Sequence, residues 1–206
     1  MQRSGALTLS DAVLPRATLL VNTVLVLLGS AVVAVFAQIT IWLEPVPITG
    51  QTFAVLLVGV SLGSKRGALA LLAYLAEGLA GLPVFAEARS AWLPLNRFGE
   101  PPIFGSTVGY LLGFVIAAFV VGWLAERYGM DRAPWSSVLL LLVGNVVLYV
   151  PGLVWLQMWL TAHGLEMSVW QAGLVPFIAG DTIKLLAAAI VAPSAWELVR
   201  TRTGSG

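Results

Sequence analysis

Six long apolar stretches dominate this sequence, and five of them hold not a single Asp, Glu, Lys or Arg: 17–43, 45–64, 67–76, 101–125 and 133–165. A sixth, 169–193, is apolar except for Asp181 and Lys184. A helix rises 1.5 Å per residue, so about 20 apolar residues cross the hydrocarbon layer of a bilayer. Runs of that length and number have no place in a soluble domain of 206 residues. Composition agrees: 59% of the residues are hydrophobic and 10% charged, where soluble domains carry about 25% charged. The chain reads as an all-α polytopic membrane protein.

Six spans are predicted, over 18–41, 48–62, 67–82, 104–126, 136–160 and 169–193. The second and third are short, so part of each flank must be irregular backbone sheltered by protein. The first run is too long for the core of a cleavable signal and reads as a retained span. Residues 1–17 form a polar arm, with 1–15 expected to be mobile, and 194–206 form a tail. With the N-terminus inside, the inner segments hold Arg3, Arg16, Lys65, Arg66, Arg127, Arg132, Arg200 and Arg202, and the outer loops hold only Arg89 and Arg97. That bias is a strong positive-inside signal and puts both termini in the cytoplasm. The outer loop over 83–103 is long enough to serve as a lid.

Several chemistries drop out. The net charge of +1 offers no basic footprint for nucleic acid. Zero cysteines and one histidine, His163, leave no thiol catalysis and no ordinary zinc or haem site. No serine-hydrolase elbow, metalloprotease motif or phosphate-binding loop is present, so no enzyme is expected, and any ATP-driven step needs an ATPase on another chain.

Lys184 and Asp181 stand where charges are costly, roughly 2.5 kcal/mol or more near the bilayer centre. Three residues apart, they share a helix face and offset each other. An intramembrane ion pair is by default a hypothesis of ligand or ion handling, and helix packing is its plainer alternative. Other polar residues fall in the outer half of the same bundle: Gln51 and Thr52 at the start of the second span, Glu77 in the third, Asn145 and Tyr149 four apart on the fifth. Their convergence predicts an outward-facing polar pocket. In the first span, Ser30 and Ala34 make a small-xxx-small pair, either internal packing or a docking face for a second membrane protein.

With these segments laid out, the chain resembles the BioY family, the biotin-specific substrate-binding (S) components of energy-coupling factor (ECF) transporters. The resemblance is carried by Ala37-Gln38-Ile39-Thr40 and by Pro45-Val46-Pro47-Ile48-Thr49-Gly50-Gln51-Thr52-Phe53-Ala54-Val55-Leu56-Leu57. It continues through Gly81-Leu82-Pro83-Val84-Phe85, Gly109-Tyr110-Leu111-Leu112-Gly113-Phe114 and Gly180-Asp181-Thr182-Ile183-Lys184, with Asn145, Tyr149, Gly152 and Trp155 at matching places. It covers about residues 27–193.

The resemblance implies an ECF S-component-like six-helix bundle in a prokaryotic cell membrane, with biotin as transported ligand and no cofactor. It implies as partners a transmembrane ECF component and two ATP-binding subunits. It implies ligand contacts from Asp181, Lys184 and an arginine of the long loop, Arg89 or else Arg97. The family's glycine-rich G-P-T-G-G-Y approach to the fourth span is replaced here by Phe104-Gly105-Ser106-Thr107-Val108-Gly109-Tyr110, with an insertion carrying Arg97. The lid is therefore reshaped. Another small vitamin as ligand, an ion-coupled carrier using Glu77, Asp181 and Lys184, and an assembly subunit are the alternatives.

Overall fold

The computed structural model describes residues 8–14, 18–41, 43–93 and 100–203. They fold almost entirely into helices: α1 (Leu9–Val13), α2 (Leu19–Ala37), α3 (Gln51–Leu62), α4 (Ser64–Leu79), α5 (Val108–Tyr128), α6 (Pro134–Ala162), α7 (Val169–Gly173) and α8 (Val175–Thr203). Between α2 and α3 the chain makes a two-residue antiparallel ladder, β1 (Thr40–Ile41) with β2 (Ile48–Thr49), pairing Thr40 with Thr49 and Ile41 with Ile48. This hairpin fills the place where Pro45 and Pro47 rule out helix.

Local chemistry sets the helix ends. Thr18 caps α2 by accepting the Val21 N–H. Pro134 occupies the first turn of α6, where its missing N–H costs nothing. Between α3 and α4 the connection is one residue, Gly63, at φ 85. A side chain there would meet strain and Glu126, whose Oε1 would lie 2.1 Å from an added Cβ. Glu126 of α5 caps α4 instead, accepting from Ser64 N at 2.9 Å and Ser64 Oγ at 2.7 Å. A carboxylate at a helix N-terminus also complements the helix dipole.

Two packed cores run along the bundle. One, near the hairpin, gathers Val55, Tyr74, Tyr110, Phe114, Leu148 and Leu156. The other, nearer Gly63, gathers Leu56, Val60, Val121, Leu140, Leu141 and Ala188. Small residues let helices close up: an added Cβ on Gly59 would lie 2.6 Å from Val121 Cγ2 and 2.7 Å from the Ala118 carbonyl. The outer surface stays apolar, with Leu19, Leu20, Val150, Val154, Ile183 and Ile190 exposed, as expected of a surface that faces lipid.

Four helical stretches are long and apolar enough to cross a membrane: Leu19–Ala37, Val108–Tyr128, Pro134–Ala162 and Val169–Val199. At 12 and 16 residues, α3 and α4 reach only about 18 and 24 Å. Two boundaries differ from expectation. The polar arm is partly ordered into α1, where Thr8 caps the Asp11 N–H at 3.1 Å and Arg66 Nη2 pairs with Asp11 Oδ1 at 2.7 Å. The last apolar segment is not one helix: it breaks at Leu174 (φ -130, ψ -56), and α8 then runs through Pro193 to Thr203. A proline removes one hydrogen bond without ending a helix whose other face is packed, and Ala192 and Trp196 are both buried.

Candidate functional site

The residues Thr49, Gln51 and Thr52 sit where the hairpin turns into α3. From there they face Asp181 and Lys184 on the first half of α8 and Tyr149 on α6. The carboxylate of Asp181 is 7% exposed as a residue. Its Oδ1 accepts from Lys184 Nζ at 2.8 Å and from Thr52 Oγ1 at 3.1 Å, and its Oδ2 accepts from Tyr149 OH at 2.5 Å. Lys184 Nζ also donates to the Thr49 carbonyl at 2.7 Å and to Thr52 Oγ1 at 3.1 Å. All three ammonium hydrogens are therefore engaged. An ionised carboxylate has about four acceptor positions. Three are used here, so Asp181 keeps one for an incoming donor.

Around this network the protein builds an aromatic wall. Phe85, Tyr110, Phe114, Tyr149 and Phe177 line a cavity of about 60 Å³ together with Val46, Pro47, Gln51, Pro102, Thr107, Asp181 and Lys184. Tyr110 meets Tyr149 edge-on, centroids 5.9 Å apart, and its hydroxyl donates to the Gly173 carbonyl at 2.8 Å, tying the cavity to α7. Gln51 Nε2 donates to Tyr74 OH at 2.7 Å while its Oε1 accepts from Thr49 Oγ1 at 2.9 Å, which fixes the start of α3. The cavity is narrow, well below the roughly 300–1,000 Å³ of sites for drug-sized ligands.

Loops form the roof. Phe85 and Arg89 make a small antiparallel bridge, Phe85 N donating to Arg89 O at 2.9 Å. The turn between them places Glu87 and Ala88 at φ 59 and 54, a region side chains avoid. Gln38 holds that turn: its Oε1 accepts from Ala88 N at 2.7 Å and its Nε2 donates to Phe85 O at 3.1 Å. Over the other side, Ser106 Oγ donates to the Pro45 carbonyl.

Of the residues expected at the site, Asp181, Lys184, Tyr149 and Gln51 come together at one cavity. Glu77 does not: it points toward α2, where its Oε2 accepts from Ser30 Oγ at 2.5 Å. Ser30 is 0% exposed, so it is packed inside the chain rather than on an open docking face, while Ala34 is half-buried. Asn145 shares the Tyr149 side of α6 but lines a wide apolar groove between α6 and α8, and its buried Oδ1 lacks a partner among the described residues. Arg89 is not a cavity-lining residue; its guanidinium pairs with Glu87 at 2.7 Å and its backbone sets the roof. Arg97 lies outside the described residues. Thr52, expected beside Gln51, joins the same network, whereas Thr49, Tyr110 and Phe85 were missed as site residues, although all three belong to the motif blocks that carry the family resemblance.

Comparison with known proteins places this architecture. The BioY family profile matches residues 8–201. Biotin transporter BioY of Thermotoga maritima is 37% identical over 166 residues, covering 79% of this chain and 88% of that protein. Biotin transporter BioY of Rhizobium etli is 37% identical over 153 residues, covering 71% and 76%. A crystal structure of the S-component for biotin from an ECF-type ABC transporter superposes with a TM-score of 0.71 at 21% identity, covering 88% of this chain and 95% of that one. With its profile match running from the ordered N-terminal helix almost to the end of α8, this chain belongs to the BioY family.

Proposed function

We propose that this protein is the biotin-capturing subunit of an ECF-type uptake transporter, energised by a transmembrane partner and two ATP-binding subunits. The carrying observation is the network in which Asp181 accepts from Lys184, Thr52 and Tyr149 and keeps one acceptor position. The bicyclic head of biotin brings a ureido group with two N–H donors and one oxygen, and an apolar thioether ring. The ureido N–H suits Asp181. The ureido oxygen draws Lys184, which can exchange its bond to the Thr49 carbonyl for one to the ligand. The ring packs on Phe85, Phe114 and Phe177, and the valerate carboxylate leaves toward the roof, where Arg89 and Arg97 are the cationic candidates.

In this reading α2 to α6 and α8 pass through the membrane as six segments, with both termini cytoplasmic and the hairpin end outside. The short α3 and α4 are completed by the hairpin and the roof loops. Because the cavity is narrow, entry of biotin requires the roof segments carrying Phe85 and Pro102 to yield. The half-buried Ala34 flank of α2 faces the transmembrane partner. Equilibrium binding of radiolabelled biotin by the purified protein in detergent tests the proposal. Tight, saturable binding lost in Asp181→Asn supports it, and absence of binding by the folded wild type overturns it.

A further inference from the structure

The C-terminal end of α2 serves two sides of the cavity. Beyond it, the β1–β2 ladder and the bond from Gly50 N to the Ile39 carbonyl at 2.8 Å lead to Thr49, whose carbonyl accepts from Lys184. On the other side Gln38, the C-cap of α2, reaches across to the turn Ala86–Ala88 between Phe85 and Arg89. Phe85 and Ala86 line the cavity.

The Gln38 amide is fully oriented. Its Nε2 donates to the Ala34 carbonyl at 3.0 Å, within α2, and to the Phe85 carbonyl at 3.1 Å, while Oε1 accepts from Ala88 N at 2.7 Å. Both amide hydrogens are therefore used. Turned over, the amide would set Oε1 against two carbonyls and Nε2 against an N–H, so only this orientation satisfies its partners. One side chain thus brackets the turn from both ends and roots it in α2.

The turn needs a bracket. Glu87 and Ala88 stand at φ 59 and 54, and neither is glycine, so the left-handed backbone is costly at both. Both residues are exposed, so core packing does not impose that conformation. The Glu87–Arg89 ion pair closes within the turn and is partly exposed, which makes it weak. Neighbouring roof residues are fastened to α4 instead. The Phe85 ring meets Tyr74 edge-on with centroids 5.3 Å apart, Ala91 N donates to the Gly78 carbonyl at 3.0 Å, and Trp92 Nε1 donates to the Leu79 carbonyl at 2.8 Å.

We propose that Gln38 is a positioning residue for ligand retention, whose amide pins the flap Ala86–Ala88 to the last turn of α2 and keeps it closed over the cavity. Without the pin the turn relaxes toward ordinary backbone, Ala86 leaves the cavity wall, and bound ligand departs faster. The proposal rests on the reading that biotin occupies the Asp181 cavity.

The test is thiol reactivity, which is clean because the chain has no native cysteine. Ala86→Cys, at a buried position of the flap, reports its opening, and Ser137→Cys, at a buried position near the other end of the bundle, reports general loosening. In the ligand-free protein in detergent, N-ethylmaleimide is expected to alkylate Ala86→Cys about tenfold faster once Gln38→Met is added, the factor that one or two ordinary hydrogen bonds carry. Gln38→Glu keeps the size and the acceptor but loses both donors, and is expected to act like Gln38→Met. Alkylation of Ser137→Cys stays within about twofold throughout. With Ala86 native, biotin dissociation quickens about tenfold in both Gln38 variants. Unchanged alkylation of Ala86→Cys, Gln38→Glu behaving like wild type, or equal quickening at Ser137→Cys overturns the pin. Alkylation as expected with unaltered biotin release overturns the link to retention. If the wild type binds no biotin, the proposed function is what fails, and alkylation still decides the pin.

Discussion

Ser30 of α2 donates its hydroxyl to Glu77 Oε2 of α4 at 2.5 Å, joining two helices across 47 positions of sequence. The contact turns a small residue and an acid into a single packing device. Ser30→Ala should leave the carboxylate short of a donor at a cost of about 1–2 kcal/mol. For a domain this size that lowers the melting temperature by roughly 2–8 °C, with biotin affinity within about twofold of wild type. Loss of biotin binding at unchanged melting temperature would instead place Glu77 in ligand handling.

The Asp181 network makes a sharper demand. Removing one partner of a buried ion pair costs about 3–5 kcal/mol, because the other charge is left uncompensated. Asp181→Asn and Lys184→Met should each weaken biotin binding by at least about 100-fold, with some loss of stability. The double substitution restores stability but not binding. A folded double variant with native affinity, measured by radiolabelled biotin, would show that the pair only holds helices together.

Tyr149→Phe isolates the third partner of that carboxylate. The ring still meets Tyr110 edge-on, but the bond to Oδ2 is gone. Affinity should fall about 10- to 100-fold, the effect of one hydrogen bond to a charged group, without a change in helix content. Unaltered affinity would mean that Asp181 does not depend on Tyr149 for its orientation.

At the other end of the bundle, Asp131 is 1% exposed, its Oδ2 accepts from Trp196 Nε1, and its Oδ1 has no partner among the described residues. Burial pushes its carboxyl above the usual value of 3.8. The folded state then holds a proton that the unfolded chain has released. Stability contributed by this group is full below about pH 3.8 and declines as pH rises toward the raised value. Asp131→Asn keeps the acceptor for Trp196 and removes the charge. Its melting temperature should exceed that of wild type at pH 7 and vary less with pH, and a steeper dependence would contradict the assignment.

Topology is open to direct measurement because the chain has no native cysteine. Phe104 and Ala133 are exposed, in the loops at opposite ends of α5. An impermeant maleimide added to intact cells should label Phe104→Cys and leave Ala133→Cys untouched until the membrane is opened. The reverse pattern would invert the orientation.

How far the sequence carried this structure differs from element to element. Long apolar runs dictate long helices, so α2, α5 and α6 were legible to within about four residues at each end. Asp181 and Lys184 were legible as partners because three-residue spacing in a helix brings side chains together. Ser30 with Glu77 and Gln51 with Tyr74 were not, since pairing between helices depends on rotation and depth, which no local period records. Asn145 shows the same limit. One turn from Tyr149, it occupies the same broad face, yet Tyr149 reaches the cavity and Asn145 stops at the groove. The helix through Pro193 and the packed α1 were hidden because tertiary contacts, not propensity, hold them.

The twelve residues of α3 reach about 18 Å, against a hydrocarbon layer of about 30 Å. Lys184 is tethered to the very start of that helix, through the Thr49 carbonyl and the Thr52 hydroxyl. If biotin is captured there as proposed, the level at which it sheds its water is set by covalent chain length, counted up from Gly63, and not by the thickness of the surrounding lipid. Bilayers of longer or shorter acyl chains would have to deform around this ruler, while the ligand meets the same chemistry at the same height in each of them.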